Sequence, residues 1–145
     1  MQKLGHKKTE RRIKMRDDEI VTKAFLKLFS FKKLLIRRRI SLFREKISLF
    51  LDREKAERDC NFQKKAECQA KIDILMHRIS SIDFVIRLID SFDASIKAHQ
   101  YTLAFFSLTK LILILQDTSL KQADLLNLLK MIHSYLEKIS SVAYA

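Results

Sequence analysis

A chain of 145 residues with one Gly, no Pro and two Cys can bury a core of its own, but it lacks the residues that build tight turns. That composition excludes sharp β-hairpins and a Gly-rich phosphate loop, and the dominance of Leu, Ile, Lys, Arg, Ala and Glu is that of long helices. The net charge of +12 lies wholly in the first half: residues 1–71 hold 22 of the 29 Lys/Arg and 10 of the 17 Asp/Glu, while residues 72–145 hold seven of each.

The expected fold is all-α, a long antiparallel helical hairpin followed by shorter helices, with no sheet. Residues 1–16 read as a flexible basic segment and residues 17–145 as a single helical core. The first long helix is expected to start near Asp17–Asp18, where acidic side chains suit the positive end of the helix dipole. Apolar residues then follow a heptad, Ile36, Ile40, Phe43, Ile47 and Phe50, which predicts the packing seam. Lys32, Arg39, Lys46 and Arg53 recur every seven residues on one flank of it, with Arg37 and Arg44 on the other.

Asp59-Cys60-Asn61-Phe62 is the expected bend, because Asp and Asn favour turns through local side-chain hydrogen bonds. A second helix follows with Cys68, Ile72, Leu75, Ile79, Ile82, Ile86 and Ile89 in heptad spacing, broken at Asp93. Folding back about residues 60–61 would set Arg37 near Asp83. Cys60 and Cys68, on one helix, would be about 12 Å apart along its axis, too far for a disulfide. Both are expected to be free buried thiols. From Phe92 to Leu115 the apolar character spreads round the helix, so this stretch is core or is covered by neighbouring subunits; Leu103, Phe106, Leu111 and Leu115 are the candidates for such contacts. Its 13 residues Leu103–Leu115, with Lys110 inside, fall short of the roughly 20 that span a bilayer. Ser119 and Gln122 fit a capping box before a last helix whose buried face is Leu125, Leu129, Ile132, Leu136 and Ile139.

Catalytic, cofactor and metal sites are not expected. His6, His77, His99 and His133 are scattered, and neither Cys has a partner at zinc-site spacing. No secretory leader is expected, and Gly5 is not at the position that N-myristoylation requires. The cations carry the functional reading. Lys3, Lys7, Lys8, Arg11, Arg12, Lys14 and Arg16 form one concentrated segment, and Lys32, Lys33, Arg37, Arg38 and Arg39 extend the basic surface with few acids before Glu45. Like charges on one helix repel, a cost that an anionic membrane would relieve. Nucleic acid is the less favoured partner, because no zinc finger or basic zipper is visible and the phenylalanines follow the seam instead of interleaving with the cations. No small-molecule substrate is expected.

The order of basic segment, long basic helix, hairpin, heptad helix, apolar helix, break and final helix resembles the ESCRT-III family, the charged multivesicular body proteins, and most of all its filament-nucleating branch. His77-Arg78-Ile79-Ser80-Ser81-Ile82-Asp83 is similar to a Gln-Ile-Ser-Ser-Leu-Glu stretch on that branch's second helix. Leu49-Phe50-Leu51-Asp52-Arg53-Glu54-Lys55-Ala56 is similar to its Leu-Glu-Arg-Glu-Arg-Ala, and Asp117-Thr118-Ser119-Leu120 to its Met-Ser-Ile-Glu. The resemblance implies a cytoplasmic protein, peripheral on endosomal membranes, that polymerises with other ESCRT-III-type subunits in endosomal sorting, multivesicular body formation and membrane remodelling. It also implies a contact with the winged-helix subunit of ESCRT-II around Phe31–Phe43, through Phe31, Leu35, Ile36, Ile40 and Phe43. The alternative is a helical coiled-coil adaptor with a basic nucleic-acid-binding tail.

Overall fold

The computed structural model describes the backbone of residues 2–117 and 122–144 and the side chains of residues 19–117 and 122–139. It contains four helices, α1 (Gln2–Arg58), α2 (Phe62–Lys97), α3 (Tyr101–Asp117) and α4 (Ala123–Tyr144), and no strand among the described residues. The all-α reading holds. The helical backbone begins at Gln2 and passes Asp17–Asp18 without a break, so the start anticipated there is displaced. Residues 2–16 are mostly Lys, Arg, Gln, Glu, Leu, Ile and Met, all sound helix formers, and no Pro stops them.

The expected bend is present, and its construction is specific. Asp59 N–H donates to the Lys55 carbonyl (3.0 Å), Cys60 N–H to Glu57 (3.1 Å) and Asn61 N–H to Ala56 (2.8 Å). These bonds, with Cys60 at φ 55°, make a Schellman cap. Asn61 then starts α2: its side-chain Oδ1 accepts the Lys64 N–H at 3.2 Å, an N-cap bond. The end of α2 repeats the device, with His99 at φ 56°, His99 N–H on the Ile96 carbonyl (3.1 Å) and Gln100 N–H on that of Ser95 (2.8 Å). Glycine usually fills such left-handed positions, and here a Cys and a His do. Placement at the turn also leaves Cys60 exposed, which corrects its expected burial; Cys68 is buried, and both thiols are free. Ser119 lies outside the described residues. Gln122 precedes α4 and its carbonyl accepts the Leu126 N–H (2.8 Å), so it is not the third residue of that helix, as a capping box would require.

The chain divides into two compact units, one of Met1–Phe31 with Leu88–Ala145 and one of Lys32–Arg87. In the first, the bundle unit, parts of all four helices surround Leu28, Phe92, Leu108, Leu111, Leu125, Leu129 and Leu136, the largest fully buried side chains of the described residues. Phe25 stacks on Phe92 (centroids 5.7 Å apart), Ser91 and Ser107 share a hydrogen bond (3.0 Å), and Lys27 approaches Asp124 (3.7 Å). Between α3 and α4, the His133 ring stacks on Phe105 (4.5 Å), and its Nε2 lies 2.8 Å from the Thr109 hydroxyl, which donates to the Phe105 carbonyl. The predicted buried face of α4 is correct at Leu125, Leu129, Ile132 and Leu136.

The second, the hairpin unit, is the antiparallel pair of residues 32–58 and 62–87. Arg39 Nε donates to Asp83 Oδ1 at 2.6 Å, and Arg53 donates to the Gln69 side-chain carbonyl. Arg39, not Arg37, therefore meets Asp83, two residues from the expected register. The predicted face of α2 is correct at Cys68, Ile72, Leu75, Ile79 and Ile82; farther on, Val85 is buried and Ile86 only partly so.

Candidate functional site

The seam of α1 is not where the heptad Ile36, Ile40, Phe43, Ile47 and Phe50 put it. Those five side chains are 39–48% exposed. The inward positions are Leu35, Leu42 and Ala56, which are buried, with Arg39, Lys46, Leu49 and Arg53 partly covered between them. The sequence carries two apolar stripes one residue apart. In the observed rotation a leucine stripe packs on α2 while Arg39 reaches Asp83 and Arg53 reaches Gln69. Turning the helix to bury the isoleucines and phenylalanines would move both cations away from these partners.

The outward stripe is continuous. Its steps of four, three, four and three keep it on one face over about 21 Å of helix. At about 100° per residue, Lys33, Arg37 and Arg44 fall on one border and Lys32, Arg39, Lys46 and Arg53 on the other. Two of the cations fold back over the stripe: the Lys46 ammonium lies 5.5 Å from the Phe43 ring centroid, and the Arg53 guanidinium 4.4 Å from that of Phe50. The aromatic rings and cations thus do interleave on this face, contrary to the sequence reading. A repeat underlies it, Arg39-Ile40-Ser41-Leu42-Phe43-Arg44-Glu45 followed by Lys46-Ile47-Ser48-Leu49-Phe50-Leu51-Asp52. Each copy supplies a border cation, an outward Ile and Phe and an inward Leu. The repeat itself encodes the two-stripe pattern.

Along the sequence of α1, cations outnumber acids around the stripe. Residues 20–44 contain eight Lys/Arg and no Asp or Glu. Glu45 and Asp52 fall on the opposite side of the helix, and the first acid in line with the stripe is Glu54, beyond Phe50. Arg38, also exposed, lies roughly half a turn from the middle of the stripe and does not join its borders. Arg39 is tied to Asp83. The expected cations Lys3, Lys7, Lys8, Arg11, Arg12, Lys14 and Arg16 lie outside the residues whose side chains are described.

The candidate protein contacts divide in the same way. Phe31, Leu35, Leu111 and Leu115 are buried, so they serve the interior and not an open surface, which corrects their assignment. Phe31 sits in the heptad phase of Ala24 and Leu28, and Leu111 and Leu115 lie on the inward face of α3 with Ala104 and Leu108. Ile36, Ile40 and Phe43 remain outward on α1; Leu103 and Phe106 are outward on α3 with Leu113. Among the described residues, no helix is long and apolar enough to cross a membrane, and no three His, Cys, Asp or Glu side chains gather as a metal site. The surface with the most unusual chemistry is therefore the cation-bordered stripe of α1. Comparison with known protein families, with curated proteins and with solved structures gives no match to this chain.

Proposed function

We propose that this protein is a peripheral membrane scaffold of the ESCRT-III type, which lies on anionic membrane through α1 and assembles with like subunits in endosomal sorting and membrane remodelling. The observation that carries the reading is the acid-free basic run of residues 20–44, with Lys33, Arg37 and Arg44 along one border of an outward apolar stripe. Each cation near an anionic leaflet contributes about 1 kcal/mol, so several together hold a protein at the surface. The long helical hairpin, and the stretches His77–Asp83 and Leu49–Ala56 on its helices, support the family resemblance. Within Phe31–Phe43, an ESCRT-II-type partner would find Ile36, Ile40 and Phe43.

Electron microscopy of the protein on liposomes rich in phosphatidylserine tests the class. Filaments, coats or tubules are expected; bare liposomes with unbound protein refute the scaffold. The second reading, a nucleic-acid adaptor, gains from Phe43 and Phe50, since rings beside cations can stack on bases. It predicts tight, salt-sensitive binding to DNA or RNA without lipid binding. The intervening Ile36, Ile40 and Ile47 favour lipid, because base stacking would leave them in water.

A further inference from the structure

The exposed face of α1 carries more apolar surface than its charge pattern requires. Electrostatic attachment needs only the cations, yet Ile36, Ile40, Phe43, Ile47 and Phe50 each leave more than a third of their surface exposed on the outward side of α1. We infer that this stripe is a membrane-inserting element: α1 of the hairpin unit lies in the plane of the lipid surface, with Phe43 and Phe50 in the acyl boundary and the bordering cations at the phosphates. The inference rests on the membrane reading above and deepens it. It reassigns Ile36, Ile40 and Phe43 from a protein contact to lipid.

Three observations select lipid as the occupant. Both borders of the stripe are cationic, the arrangement of a helix that floats at an anionic interface with its apolar side down. The Lys46 ammonium and the Arg53 guanidinium lie over the Phe43 and Phe50 rings, and their flexible stems are long enough to lift each charge to the headgroups while the ring sinks. The same borders oppose a second copy on this face. Self-packing of the stripe about a two-fold axis would set Lys33, Arg37 and Arg44 against Lys or Arg of the partner, with no acid on the face before Glu54 to offset them. Insertion gives the attachment a component that salt does not screen. It also makes binding stronger on curved or loosely packed bilayers, whose acyl region is open to the rings.

The chain contains no Trp, so one introduced indole reports its site alone. Phe43→Trp and Phe50→Trp are compared with Ile74→Trp, a control on the side of α2 away from Gln69 and Asp83. Each is mixed with vesicles of equal parts phosphatidylserine and phosphatidylcholine, with and without bromine on the acyl chains, and bound protein is measured by sedimentation. The expected result is a blue shift and about twofold quenching by acyl bromines at positions 43 and 50, with none at 74. Sedimentation with the vesicles but no quenching at 43 or 50 overturns insertion and leaves the membrane reading standing. No sedimentation with vesicles overturns both. A blue shift at 43 and 50 without vesicles, growing with protein concentration alongside dimer formation, assigns the stripe to a second copy and overturns the inference.

Discussion

The bundle unit and the hairpin unit draw on the same apolar residue types and end in opposite states. In the bundle unit four helical segments enclose Phe92, Leu108, Leu111 and Leu129 almost completely. In the hairpin unit each helix has one neighbour, which covers one side of it. The α1 helix there spends Leu35, Leu42 and Leu49 on α2 and has a second apolar stripe left over. What is core chemistry in one unit becomes surface chemistry in the other. The difference is one of geometry: two helices in a pair have a single seam, so apolar residues beyond that seam must meet solvent or a partner.

Truncation should break this symmetry of composition. Leu129→Ala and Leu108→Ala remove fully enclosed side chains and are expected to cost about 2–5 kcal/mol of stability each, measured by urea denaturation. Phe43→Ser and Phe50→Ser, of similar apolar loss, should change stability by less than about 0.5 kcal/mol. Comparable destabilisation by both sets would mean that the stripe is packed after all.

Charge reversal comes next in size. Lys33→Glu, Arg37→Glu and Arg44→Glu together should weaken binding to anionic vesicles by at least about 3 kcal/mol, read by flotation, while the same change at Arg38 alone should have a much smaller effect. Equal loss from Arg38→Glu would show that the border of the stripe is not the binding edge.

Smaller effects probe how the hairpin is set. Arg39→Ala should cost about 1 kcal/mol or less, because its pair with Asp83 is partly solvated. His99→Gly should be neutral or stabilising by up to about 1 kcal/mol, since it relieves a left-handed residue at the cap of α2. Thermal unfolding of each variant against the parent checks both signs.

Much of the fold was legible in the residues, and the failures have definite causes. Asp59 and Asn61 marked the bend because their short polar side chains serve turns, and Asn61 does cap α2. The faces of α2 and α4 each had a single apolar stripe, so periodicity placed them. In α1 two stripes run one residue apart, and periodicity alone cannot choose between Leu35-Leu42-Leu49 and Ile36-Phe43-Phe50. The choice depends on tertiary contacts, Arg39 with Asp83 and Arg53 with Gln69. The turn between α2 and α3 lies at His99, six residues beyond the heptad break at Asp93, because α2 continues to Lys97 and a His occupies the position that glycine usually advertises. The basic character of the candidate surface was visible from charge counting, whereas its apolar centre was hidden by the wrong rotation.

The most direct test of the central claim is flotation of the unmodified protein with phosphatidylserine-containing vesicles and with pure phosphatidylcholine vesicles, side by side. The protein is expected to float with the anionic vesicles, to keep a salt-resistant fraction there, and to stay behind with the neutral ones. Negligible binding to both would contradict the claim.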